Sequence, residues 1–343
     1  MTTTMCVNPV WAVTLDDHVG ALGYSPDGTL LAAGSLGGDT VVAGGDLGER
    51  QMALTPHEMG VLCLDWSPDS RLLAVGGQDG LVRIWSVNPA DAEPVELGHL
   101  DTRGWVEAVA WSPDGSQLAI ASGRQVLVVD PAAAPIHCFG DHSSTVTDLA
   151  WSPDGSRIGA SCYGGVWWWT TDQPDAGARI MAWKGALLGL KVSPDGRWVA
   201  GGCQDASVHL WRLWSGDDLQ MAGYPSKVER VSWDPTSRYL AVANPGEITV
   251  WNFAGKGPAG TMPGVLEYHT GRITDLAYAP TGHTLASVGV DGCLALFDGV
   301  RRKHPSATWQ GDEPLNRIAW HPGSQRAAVA GSNGTVEVLR IER

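Results

Sequence analysis

Six cysteines and ten histidines are the residues of this chain best equipped for metal or redox chemistry. Cys6, Cys63, Cys138, Cys162, Cys203 and Cys293 include no C-x-x-C pair, and none has a histidine at zinc-site spacing. Cys162 and Cys203, however, stand 41 residues apart, at equivalent places near the end of a second strand. The corresponding residues elsewhere are Ser35, Gly77, Ser122, Asn244, Gly289 and Gly331. A soft-metal or redox pair is one reading. The other is a site that demands a small buried residue, which cysteine supplies as well as serine or glycine. His57, His142 and His269 likewise share a spacing, eleven residues before Pro68, Pro153 and Pro280. They form no H-E-x-x-H motif. The chain also has no G-x-S-x-G elbow, no Walker loop and no dinucleotide fingerprint.

Charge recurs with the same regularity. Five residues before successive prolines stand Ala21, Cys63, Ala108, Asp148, Gly189, Arg230, Asp275 and Arg317. Asp148, Arg230, Asp275 and Arg317 are therefore expected to gather as a mixed-charge belt. An enzyme would use such a belt as its site, whereas a structural belt would be a hydrated ring of ion pairs, each worth little.

These coincidences of spacing have one source. A short turn motif returns eight times: at Ser25-Pro26-Asp27-Gly28, Ser67-Pro68, Ser112-Pro113, Ser152-Pro153, Ser193-Pro194, Asp234-Pro235, Ala279-Pro280 and His321-Pro322. The prolines are 42, 45, 40, 41, 41, 45 and 42 residues apart. Proline presets the first corner, aspartate bonds its own backbone and glycine accepts a positive φ. Before each turn, the residue four back from proline is aliphatic: Leu22, Leu64, Val109, Leu149, Leu190, Val231, Leu276 and Ile318. The residue two back is aromatic except at Val192: Tyr24, Trp66, Trp111, Trp151, Trp233, Tyr278 and Trp320. Alternation along a strand puts these two positions on one face, ready to pack on a neighbouring sheet. A second run follows each turn, then a third strand ending at Trp85, Trp169, Trp211 or Trp251, then a more variable fourth.

A period of 40–45 residues with four strands per unit predicts a propeller. The pattern resembles the WD-repeat family over essentially the whole chain, and its layout is similar to that of the stand-alone bacterial members. No unit ends in Trp-Asp; Phe297-Asp298 and Val129-Asp130 come nearest. The family's His, Ser/Thr, Asp and Trp set is incomplete everywhere: unit two offers His57, Asp79 and Trp85 beside Gly76-Gly77, unit seven offers His269, Ser287 and Asp291, and unit five has Asp205 and Trp211 without a matching histidine. The expected fold is all-β, an eight-bladed propeller of four-stranded antiparallel blades forming a single domain over residues 1–343. The strand at Pro9–Leu15 should complete the last blade beside Thr335–Leu339. Seven blades is the alternative, with one unit outside the ring.

Composition narrows the function. A net charge of −14 argues against nucleic acid, and Arg301-Arg302-Lys303-His304 is too short a basic run to reverse that. There is no 18-residue apolar run, and Met1–Met5 lacks the charged and apolar regions of a secretory signal, so the expectation is a cytoplasmic protein that meets no membrane. Lys256–Gly260 reads as a longer loop within a blade. The resemblance implies that the loops before each inner strand, and those between second and third strands, meet the partners. That face should carry Glu58, Trp105, Tyr163, Lys184, Gln204, Lys227 and Arg272. The leading expectation is a non-catalytic adaptor for proteins or peptides, without metal or cofactor. The alternatives are a metal-handling or small-ligand propeller using Cys162 and Cys203 at the ring mouth, and an enzyme built on the charged belt.

Overall fold

The computed structural model describes residues 5–45, 47–88, 93–140, 142–255, 257–299 and 302–343. Lys256 and Arg301, which fall in the two loops singled out above, lie outside that set. Each proline turn joins an inner strand to a second strand, and the chain then meanders outward. In unit one the strands are Val19–Tyr24, Leu30–Ser35, Thr40–Gly44 and Arg50–Ala53, hydrogen-bonded in that order. Units two, three and five repeat the scheme. In unit four the second and third strands run together as Arg157–Thr170 through Gly164 and Gly165, which have φ of 97° and 128°. In units six and seven one long strand, Gly264–Tyr278, is outer for the first and inner for the second. The strand Cys6–Thr14 pairs antiparallel with Thr335–Glu342 of unit eight, Val13 opposite Val336, and Leu15 N–H donates to the Gly334 carbonyl. The described residues contain no α-helix, and one short 3-10 turn at Pro174–Ala176.

The turns show why the motif recurs. Ser25, Ser67, Ser112, Ser152 and Ser193 each donate from Oγ to the aspartate two residues on, at 2.5–2.7 Å. The residue after that aspartate, or its equivalent, takes a left-handed conformation. Three units put serine there instead of glycine: Ser70, Ser237 and Ser324, at φ of 64°, 58° and 59°. That conformation costs a non-glycine residue about 1–2 kcal/mol. Each serine hydroxyl accepts a bond from a backbone N–H of an earlier turn, that of Asp27, Asp195 or Thr281, at 2.9–3.0 Å. The strain is thus offset by a link between adjacent units.

The core is distributed between sheets. Among the described residues it falls into eight apolar clusters, each spanning two successive units. One joins Leu30, Val42 and Met52 of unit one to Trp66, Leu73 and Trp85 of unit two. Another joins Val336 and Val338 of unit eight to Val19 and Leu31 of unit one, with Val13 and Leu15 between them. The aromatic residues two before the prolines of every unit but the fifth lie in these seams, as expected, and four of them add a bond the sequence did not announce. The indoles of Trp66, Trp151, Trp233 and Trp320 donate to the carbonyls of Gly23, Ala110, Lys191 and Ala277, at 2.9–3.2 Å. Each acceptor sits three residues before the proline of the preceding unit.

Trp111 breaks this pattern. Its backbone N–H goes to the Asp65 carboxylate at 2.8 Å, and its indole nitrogen is buried without a partner. The two tryptophans therefore predict different losses. Trp151→Phe should destabilise the fold by about 1 kcal/mol more than Trp111→Phe, since only the former gives up a satisfied bond. Urea unfolding of both variants measures the gap, and equal losses would contradict the assignment.

Candidate functional site: the channel and the loop face

The inner strands surround a cavity of about 460 Å³ lined by, among others, Asp148, Lys191, Glu229, Arg230, Asp275 and Arg317. The four residues of the expected belt are thus brought together, but ion pairing is not their main engagement. Where the residues five and three before a proline carry polar side chains, most bond to the backbone of the following unit. Asp148 accepts from Leu190 N–H at 2.9 Å, and Asp275 from Ile318 N–H at 3.1 Å. Arg230 donates to the Thr274 carbonyl at 3.3 Å, and Arg317 to Gly20 of unit one at 2.9 Å. Three residues six before proline join in: Thr147, Thr274 and Asn316 donate to the Leu187, Leu315 and Val19 carbonyls. Looser charge contacts, Lys191 to Asp148 at 3.7 Å and Arg230 to Asp275 at 3.6 Å, overlie these bonds. The belt is a set of backbone clamps between units, which corrects the picture of a hydrated ring of ion pairs.

The histidine networks are partly as expected. His269 Nε2 lies 2.8 Å from Ser287 Oγ, and its Nδ1 3.0 Å from Asp291. His57 Nδ1 lies 3.0 Å from Asp79, but with Gly76-Gly77 in place of a hydroxyl its Nε2 is buried and unpaired. What the sequence reading missed is that the position eleven before proline keeps a network role in three units that lack histidine there. Tyr224 holds it in unit six and accepts from the Trp251 indole at 3.1 Å. Thr102 holds it in unit three and accepts from Ser122 Oγ at 2.8 Å. In unit five Trp183 stacks on His209 at 4.0 Å between ring centres, and His209 meets Trp211 at 4.4 Å. The missing histidine of unit five has moved to the third strand. The common spacing was the available signal.

Cys162 and Cys203 are both fully buried, so they do not present sulfur at the mouth of the channel. Burial pushes the Cys203 thiol up to about 11, which keeps it protonated rather than a thiolate ligand. No group of three or more His, Cys, Asp or Glu suited to a metal ion occurs among the described residues. The small-residue reading accounts for both sites.

All seven residues expected on the loop face are exposed. They occupy three repeat positions: ten before proline (Glu58, Lys184), eight before proline (Trp105, Lys227, Arg272), and just after the small residue that ends the second strand (Tyr163, Gln204). The last two positions form a rim. Gln204 N–H donates to the Ala186 carbonyl at 3.0 Å and Val290 N–H to that of Arg272 at 3.0 Å, with the same bond from Leu36 to His18. Trp105 is 52 % exposed and Tyr163 53 %. Lys227 and Arg272 both pair with Glu229, at 2.7 and 3.2 Å. Trp105 therefore does not fold back over its own blade.

A meander of short antiparallel sheets packed sheet on sheet, with this turn at each step, defines a repeat propeller. The family model for the WD domain, G-beta repeat (WD40) matches residues 11–42, 48–86, 93–130, 133–169, 179–212 and 260–298, and the chain belongs to that family. Units six and eight, which lack a Ser-Pro-Asp turn, fall outside the matched segments. Among curated relatives, WD repeat-containing protein 1 of Gallus gallus is 24% identical over 85% of this chain and 48% of its own length. The anaphase-promoting complex subunit cdh1 of Dictyostelium discoideum is 27% identical over 86% of this chain and 38% of its own. The chain thus spans about half the length of the curated relatives it matches, or less. These relatives are eukaryotic and lend no support to a stand-alone bacterial type. Chaetomium thermophilum Sqt1, solved bound to the N-terminus of the ribosomal protein L10, shares the fold with a TM-score of 0.83 at 17% identity, covering 96% of this chain and 99% of that one. Among the described residues, no helix is long and apolar enough to cross a membrane.

Asp65 gives this region a pH dependence. Burial raises its carboxyl to about 6, against backbone donors from Trp111 and Trp66. A carboxyl raised on folding adds stability below its unfolded value near 4, and that contribution is lost as pH rises through about 6. Asp65→Asn keeps an acceptor for Trp111 and carries no charge. Its melting temperature should therefore exceed that of the parent at pH 7.5 and converge with it at pH 4.5, in melts followed by tryptophan fluorescence. A variant that melts lower than the parent at pH 7.5 but equals it at pH 4.5 would show that the ionised carboxylate stabilises the fold and overturn the assignment.

Proposed function

We propose that this chain is a single propeller of eight units, its ring closed by the first strand joining the last blade, and that it acts as a non-catalytic adaptor in the cytoplasm. The loop face holds one or more proteins or peptides through Glu58, Trp105, Tyr163, Lys184, Gln204, Lys227 and Arg272. No cofactor is required. The observation that carries this reading is the half-exposed pair Trp105 and Tyr163 on the rim. Large aromatics held by a rigid frame pay little ordering entropy on binding, and tryptophan, tyrosine and arginine are enriched where interfaces concentrate their energy. The inner-strand charges support the non-catalytic part, since each member of the belt already bonds to backbone. The eight successive apolar seams, one of them between the last unit and the first, support the count of eight over seven. Sqt1 bears on the peptide reading as a protein of this fold solved with the N-terminus of another protein.

Two measurements test this. The triple variant Trp105→Ala, Lys184→Ala, Arg272→Ala should keep its melting temperature within a few degrees yet retain at least tenfold less of any partner that co-purifies with the parent, as quantified by mass spectrometry. Unchanged retention would mean the wrong face. Removing residues 1–14 should leave Thr335–Glu342 with an open edge, giving a lower melting temperature and association in size-exclusion chromatography. A monomeric truncation of unchanged stability would refute closure by the first strand.

A further inference from the structure

The loop face is unevenly charged and unevenly covered. Its cations, Arg103, Arg124, Lys184, Lys227 and Arg272, belong to units three to seven. The loops of units eight, one and two (311–314, 332–334, 16–18, 36–39, 55–60 and 78–80) contain no lysine or arginine. In that sector two large apolar side chains stand open, Leu36 at 39 % and Met59 at 48 %. They are neighbours: a Cβ on Gly60 would lie 2.9 Å from the Leu36 carbonyl, and His57 N–H donates to the Gly38 carbonyl at 2.9 Å. Around them Asp16, Asp17, Glu58 and Glu313 are exposed. The backbone joins them into one surface. Asp16 N–H donates to Asp39 at 3.2 Å, and a Cβ on Gly334, in the loop beside Glu313, would meet the Asp17 carbonyl at 2.9 Å.

Below the rim at this seam lies an unfilled acceptor. Asn316 is 6 % exposed, its amide nitrogen meets His18 Nε2 and the Val19 carbonyl at 2.6 Å, and its Oδ1 has no hydrogen-bond partner. Burial, with the Arg317 charge behind it, lowers the His18 pKa and so favours the neutral imidazole. An open apolar pair with carboxylates on its flanks, in loops that hold no lysine or arginine, suits one kind of occupant.

Building on the adaptor reading above, we propose that the sector of units eight, one and two docks a basic segment of a partner protein. An aliphatic or aromatic side chain of that segment seats on Leu36 and Met59, and its lysines or arginines meet Asp16, Asp17, Glu58 and Glu313. The cations of units three to seven repel the segment and so fix where it lies. The net charge of −14 adds long-range attraction for the same class of partner.

A display library of random 12-residue peptides, selected on the intact chain at 150 mM salt, tests the sector directly. The selected pool should be enriched in lysine or arginine next to large apolar residues. Individual peptides should lose at least tenfold in affinity to Leu36→Ser/Met59→Ser and to Asp16→Asn/Asp17→Asn/Glu58→Gln, all exposed positions, with less than threefold change on the control Val95→Ser/Met262→Ser, exposed apolar positions outside the loop face; Trp105→Ala/Arg272→Ala is the third loop-face variant measured. Peptides that lose affinity to the carboxylate variant but not to Leu36→Ser/Met59→Ser report diffuse attraction to an acidic protein and overturn the proposal. Peptides that depend on Trp105 and Arg272 instead overturn the sector and leave the face as the binding surface. A pool with no charge bias that is indifferent to all three variants overturns both.

Discussion

The structure depends on one interaction repeated around the inner strands: a side chain of one unit bonded to the backbone of the next. An inner strand has a neighbour on each side but hydrogen-bonds as a sheet only within its own blade. Apolar packing alone holds adjacent blades with little directional preference. The forward bonds of Asp148, Asp275, Arg230 and Arg317, and the backward bonds of Trp66, Trp151, Trp233 and Trp320, supply direction. Each fixes the height and register of one inner strand against its neighbour, and the last of the forward set ties unit eight to unit one. Charged groups suit the task because a bond to an ionised partner is roughly twice as strong as a neutral one.

This also explains how the family marks can fade without loss of the fold. Unit five has a two-residue inner strand, Lys191–Val192, no aromatic residue two before its proline and no histidine eleven before it. Its neighbours compensate. Asp148 of unit four grips Leu190, Trp233 of unit six donates to Lys191, and Trp183 stacked on His209 fills the place of the absent network. Units six and eight lose the Ser-Pro-Asp turn but gain Ser237 and Ser324, whose hydroxyls reach the turns before them. Wear in one unit is carried by bonds from the next.

Much of this was legible in the sequence, because the repeat converts spacing into position. The proline turns, the four strands per unit, the aromatic anchors and the pairing of the first and last strands all follow from counting residues against a period. The exposed face was legible for the same reason: Trp105, Tyr163 and Arg272 fall at rim positions by arithmetic. What stayed hidden was the partner of each inward residue. Sequence placed Asp148, Arg230, Asp275 and Arg317 together and suggested that they satisfy one another, whereas backbone groups of the next unit lie nearer. A repeat fixes which residues are equivalent, and three-dimensional proximity decides which become partners. Tyr224, Thr102 and Trp183 were missed because residue type was weighed before position.

The division between clamped interior and open rim bears on function. A binding surface made of loops is precise only when the loop ends are fixed, since every degree of freedom left at the base is lost on binding. Here several rim residues are bonded to the backbone across the rim, Leu36 to His18, Gln204 to Ala186 and Val290 to Arg272. Side chains such as Leu36, Gln204 and Val290 are therefore displayed at fixed spacings, and changing one leaves its supports intact. That is the physical basis on which units of one period come to carry cations over one arc of the mouth and only carboxylates over another. The bonds between units come from positions five, three and two before the prolines, and the exposed side chains from positions ten and eight before them and from the end of the second strand, so each set can change without disturbing the other.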